Sequence, residues 1–123
     1  MTPTATRPRI LIVEDSIFVL MMLEAVCEDL DWQIVGPAMR LDEALRLATH
    51  EPIDAALLDV NLYDEFSWPV AAALMTRGIP FAFGTGYDAT LTLPAAFASA
   101  PVMPKPYLAA DIQRQVLALL AVG

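Results

Sequence analysis

Apolar residues along this chain come in short unbroken runs, separated by stretches with a helical period. Ile10-Leu11-Ile12-Val13 is wholly apolar and largely β-branched, the pattern of a strand buried on both faces. Residues 32–35, 53–58, 79–83 and 100–103 are further runs of strand length. Between them, residues 17–30, 40–50, 66–77 and 107–121 predict helices. On the first helix Val19, Leu23, Val26 and Leu30 mark the core side, and Glu24, Glu28 and Asp29 the solvent side; Phe18 and Met21 fall among the polar positions. The second turns Leu41, Ala44, Leu45 and Ala48 to one face, and the last Leu108, Ile112, Val116 and Leu119.

Local signals place the boundaries. Ser16 or Asp15 can cap the first helix. Gly36-Pro37 punctuates the second strand. Pro69 falls in the first turn of a helix, where a missing N–H costs little, and Gly78 suits its C-terminus. Residues 60–65 and 84–87 read as loops. Pro94 interrupts residues 88–99, so that region holds at most a short helix. A strand–helix alternation repeated five times predicts an α/β domain: a parallel sheet covered on both faces, with right-handed crossovers. Residues 1–8, rich in proline and threonine, read as a flexible leader to a domain over 9–123.

Composition narrows the function. At 123 residues and 57% hydrophobic, the chain can bury a core as one domain. A formal net charge of −8 argues against non-specific nucleic-acid binding and against an anionic membrane surface. The lone Cys27 excludes an internal disulfide framework. The apolar run after the N-terminus is broken by Glu14 and Asp15, so neither a signal peptide nor a membrane span is expected, and a cytoplasmic location is the default.

The candidate chemistry sits where strands end. In an open α/β sheet, ligands bind at the carboxyl ends of the strands. There the pattern places Glu14 and Asp15, Asp59, Thr85 and Lys105. Three carboxylates drawn together repel unless a cation joins them. Hard oxygen donors with no histidine or cysteine at ligand spacing favour Mg²⁺ over zinc. His50, at the end of the second helix, reads as a surface residue. Singly, each group has a plainer explanation: acids at a helix start, a turn aspartate, a loop threonine, a solvated lysine. Together at matching strand ends they fit a site. Phe18 and Met21 read either as scattered surface apolars or as a docking patch beside the acidic pair.

The motifs Leu11-Ile-Val-Glu-Asp-Ser16, Leu57-Leu-Asp-Val-Asn61, Thr85-Gly86 and Lys105-Pro106, in this order and spacing, resemble those of the receiver domains of two-component response regulators. The resemblance runs from about Arg9 to the end. Pro80-Phe-Ala-Phe-Gly-Thr-Gly-Tyr87, with Asp59-Val-Asn-Leu62, Glu65 and Pro69-Val-Ala71, is similar to a single-domain subgroup with a Pro-Phe-x-Phe-Ala-Thr-Gly-Tyr signature. The resemblance implies a flavodoxin-like (βα)5 fold with strand order 2-1-3-4-5. It implies that Asp59 accepts a phosphoryl group from a histidine kinase or histidine phosphotransfer protein, and that Glu14, Asp15, Asp59 and the Asn61 carbonyl hold Mg²⁺. It further implies that Thr85 and Lys105 bind phosphoryl oxygens, that Gly86, Tyr87 and Pro106 flank the site, and that the Lys105–Pro106 bond is cis. Phe18 and Met21 would lie on the docking helix.

The sequence departs from the family pattern at four places. Gly84 replaces the subgroup's alanine. Asp64 stands where glycine is usual. Val102 occupies the position at which many receivers carry an aromatic switch residue, which leaves Phe83 or Tyr87 as reporters of state. Pro94 shortens the fourth helix. The expected function is a stand-alone receiver in a phosphorelay, signalling by protein contact and catalysing nothing beyond its own phosphorylation and dephosphorylation. One rival is a pseudo-receiver that serves as a constitutive binding module. The other is a small phosphatase-like enzyme, against which Asp59-Val60-Asn61 lacks the second acid of an Asp-x-Asp motif.

Overall fold

A computed structural model describes residues 7–86 and 93–122. Strands β1 (Arg9–Val13), β2 (Gln33–Ala38), β3 (Ala55–Asp59), β6 (Phe81–Thr85) and β7 (Val102–Pro104) form a sheet in the order β2-β1-β3-β6-β7, with every pair parallel. Helices α1 (Ile17–Asp29), α2 (Leu41–His50), α3 (Trp68–Thr76) and α4 (Ala109–Val122) flank it. This is the flavodoxin-like order 2-1-3-4-5 expected from the sequence, with a small two-stranded sheet, β4 (Asn61–Leu62) and β5 (Glu65–Phe66), added after β3.

The apolar runs are strands because each can bury both faces. Leu11, Val13, Ala56, Leu58, Phe81 and Phe83 point into one core with Ala44 and Ala48 of α2 and Val70, Ala71 and Leu74 of α3. Ile10, Ile12, Ala55, Leu57 and Ala82 point into the other, with Leu20, Leu23, Val26 and Cys27 of α1 and Ile112, Val116 and Leu119 of α4. Alternation within a continuous apolar run is what a two-faced parallel sheet requires.

Several sequence expectations are corrected. The buried side of α1 is Leu20, Leu23, Val26 and Cys27, with Val19 and Leu30 only half-buried. Leu45 and Leu108 are exposed. On α4 the core stripe is Ile112, Val116 and Leu119, and Tyr107 rather than Leu108 is buried before it. Strand β2 does not stop at Gly36-Pro37 but runs on to Ala38 through a cis peptide at that pair. Residues 60–65 are not a plain loop. Leu62 and Glu65 pair across Tyr63 and Asp64, both at positive φ (47° and 68°). Two central residues at positive φ make the tight hairpin whose twist matches its strands. After Pro94, where at most a short helix is expected, the described residues form a single 3-10 turn, Ala95–Phe97, in keeping with that expectation.

Candidate functional site

Parallel topology brings the carboxyl ends of β1, β3, β6 and β7 to one edge. The register pairs Val13 with Leu58 and Asp59 with Gly84. Side chains alternate along strands, so Glu14, Asp59 and Gly84 lie in one row on the face covered by α1 and α4. Glu14 is 1% exposed and Asp59 8%, while Asp15 is half-buried. Oxygens of the three carboxylates lie within 4.8 Å of one another.

Lys105 reaches this row from the end of β7. Its Nζ lies 2.9 Å from Glu14 Oε2 and 3.0 Å from Asp59 Oδ2. It is the sole lysine of the chain. Its backbone N–H donates to the Thr85 carbonyl at 2.8 Å, which extends the β6–β7 ladder to the site. The bond from Lys105 to Pro106 is cis, as the resemblance implies.

The charge balance leaves this cluster short of cation. Burial, and then the negative charge of Asp59, raise the Glu14 carboxyl to about 7, against the pull of Lys105 and the Ser16 N–H. Burial alone would lower the Lys105 ammonium; its bonds to Glu14 and Asp59 and their charge outweigh that and raise it. One ammonium shared by two carboxylates, with a third in reach, is a donor set that fits a hard divalent cation.

Backbone groups complete the rim. Asp59 Oδ1 accepts the Asn61 N–H at 3.2 Å, and Asp15 Oδ2 accepts the Tyr63 N–H at 3.1 Å. The hairpin is thereby tied to both acids, and Arg40 lies over the Tyr63 ring, 5.6 Å from its centroid. Thr85 Oγ1 donates to the Gly86 carbonyl at 3.4 Å. A Cβ on Gly86 would meet nothing within 4 Å among the described residues. Tyr87 lies outside the described residues. Phe18 and Met21 are 85% and 61% exposed, and Ile17 extends the same apolar surface at 62%.

The structure thus brings together Glu14, Asp15, Asp59, Asn61, Thr85 and Lys105. Sequence reading missed Tyr107. Its side chain is buried between Lys105 and Gly84, with Nζ 6.0 Å from the ring centroid. Burial, and the charge of Glu14 and Asp59, hold its hydroxyl well above the ordinary tyrosine range. The signal was present as a glycine at 84 and an aromatic after Lys105-Pro106, but only the three-dimensional register joins them.

No protein-family model matches the chain, and a comparison with curated protein sequences finds no match. Solved structures do match. SdrG from Sphingomonas melonis Fr1, determined in solution, is 42% identical over 93% of this chain and 97% of its own, with a TM-score of 0.80. The BeF3-activated conformation of SdrG from Pseudomonas melonis Fr1 is 38% identical over 95% of this chain and 99% of its own, at a TM-score of 0.75. The CheY-like response regulator receiver domain protein from Methanospirillum hungatei JF-1 shares the fold, at a TM-score of 0.81 and 24% identity over 95% of this chain and 96% of its own.

Proposed function

The chain belongs to the response regulator receiver domains, and from that premise we propose that it takes a phosphoryl group onto Asp59 from a phosphohistidine donor. Its phosphorylated form then signals by protein contact. The observation that carries this reading is Lys105 Nζ held between Glu14 and Asp59 with Asp15 beside them.

The chain's own groups suit each requirement of the transfer. Phosphoryl transfer asks for in-line positioning and charge neutralisation more than for covalent chemistry. Asp59 is the nucleophile: one carboxylate oxygen bonds phosphorus as the donor's P–N bond breaks and the electron pair leaves on the imidazole. Asp59 Oδ1 is oriented by the Asn61 N–H. Lys105 is placed to leave Asp59 for a phosphoryl oxygen while keeping Glu14. Thr85, at the end of β6, offers a hydroxyl to another. Glu14, Asp15, Asp59 and the Asn61 carbonyl would hold Mg²⁺, which when bound supplies positive charge against two anions brought together. Pro106, and Gly86 after Thr85, would flank this site.

The partner is a histidine kinase or a histidine phosphotransfer protein, docking over the exposed Ile17, Phe18 and Met21 beside the acids. The test is uptake of a phosphoryl group from a small phosphodonor with Mg²⁺, read by intact mass. Uptake by the wild type and none by Asp59→Asn is expected. Equal uptake by Asp59→Asn, or none by the wild type, contradicts the assignment.

A further inference from the structure

Gly84 and Tyr107 interlock beneath the site. A Cβ built on Gly84 would lie 1.4 Å from the Tyr107 hydroxyl oxygen, 2.7 Å from Cζ and 3.3 Å from Cε1. The hydroxyl therefore fills the space that any other residue's side chain would take. The ring is 5% exposed and belongs to the core packed under α1 and α4, so it has no open side to swing towards. Gly84 pairs with Asp59 on one side and Met103 on the other, which puts the notch next to the acceptor aspartate.

The same ring lies beneath Lys105. Nζ is 6.0 Å from its centroid, at the edge of the range in which an aromatic face attracts a cation. Tyr107 is two residues from Lys105 and two before α4 begins at Ala109. Seating the hydroxyl on Gly84 fixes the ring, and the ring fixes the short segment that carries the lysine. A larger residue at 84 would lift the ring off the sheet and take that segment with it.

We propose that Tyr107 is a positioning residue for Lys105, and that Gly84 is the seat that lets it act. The seat and the ring hold the ammonium at its place between Glu14 and Asp59. The purpose of this interlock rests on the phosphoryl-acceptor reading of Asp59; its geometry does not.

Because Lys105 is the sole lysine, its reactivity reads its position directly. An amine-acylating reagent is applied to the wild type, Gly84→Ala, Tyr107→Leu and the double variant. Labelling is followed on the peptide carrying Lys105, with folding checked by circular dichroism and thermal melting. In the wild type the ammonium is shielded and paired, and labelling is slow. Gly84→Ala and Tyr107→Leu each speed labelling by roughly tenfold, a coupling of the size found between residues in contact. In the Tyr107→Leu background Gly84→Ala adds nothing, because there is no hydroxyl left to displace.

Equal effects of Gly84→Ala in both backgrounds, or an unchanged rate in folded Tyr107→Leu, overturn the interlock. Should Gly84→Ala not fold, Tyr107→Leu decides alone by the same criterion. Phosphoryl uptake is measured in parallel. A wild type that takes no phosphoryl group while the labelling pattern holds removes the function proposed for Asp59 and leaves the interlock standing. Uptake with the labelling pattern absent does the reverse.

Discussion

At the scale of single residues, the balance between Glu14, Asp59 and Lys105 couples stability to pH. The Glu14 carboxyl lies near 7 in the folded protein, above its ordinary value of 4.5. Between those values the folded state binds more proton than the unfolded, so this group makes stability fall as pH rises from about 4.5 to about 7. Thermal melting from pH 5 to pH 8 without divalent cation should show that fall, and Glu14→Gln should flatten it. Mg²⁺ should raise the melting temperature more at pH 8 than at pH 5, since ligands must be deprotonated to bind it. A wild type whose melting is insensitive to Mg²⁺ at pH 8 would remove the cation from the account. The identities of these groups were legible in the sequence, because each ends a strand run. The sharing of one ammonium by two acids, and the notch at Gly84, were not, since they depend on which strands lie side by side.

At the scale of elements, the strands were read well and the connections less so. A wholly apolar run has one explanation in a chain of this size, a two-faced strand, and the five runs are the five strands of the main sheet. Helix faces were harder. Helix α1 is apolar nearly all round, so the wheel drawn from its few acids turned Val19 inward and left out Leu20 and Cys27. The hairpin at Tyr63–Asp64 carries none of the usual asparagine–glycine or aspartate–glycine signal, so nothing in the sequence sets it apart from a loop. Phe83 meets Trp68 edge to face at 5.4 Å, and Phe97 packs 6.0 Å from both rings. Phe83→Ala, with Phe83 wholly buried, should cost about 3–5 kcal/mol in denaturant unfolding. For the exposed face of α1, Phe18→Ala with Met21→Ala should slow transfer from a protein phosphodonor while leaving uptake from a small phosphodonor near wild type. Equal loss with both donors would place these residues in folding and not in docking.

At the scale of the whole molecule, the topology makes the site. Glu14, Asp59, Thr85 and Lys105 are spread over 92 positions of sequence, and only a parallel sheet in the order β2-β1-β3-β6-β7 puts their strand ends on one edge. The structural likeness to SdrG bears on the family and the fold of the chain. The two departures at Val102 and Pro94 also hold at this scale: Val102 is 42% exposed, and a single 3-10 turn follows Pro94. With no aromatic at 102, the buried ring of Tyr107 lies 6.0 Å from Lys105 Nζ and meets the strand beside Asp59 at Gly84. The central claim is that Asp59 becomes an acyl phosphate. The direct measurement is treatment of the phosphorylated protein with borohydride, which reduces an acyl phosphate to an alcohol, followed by tandem mass spectrometry of the peptide spanning residues 55–66. The account predicts homoserine at position 59 in a Mg²⁺-dependent amount. Aspartate intact at 59, with the mark on another residue or on none, would contradict it.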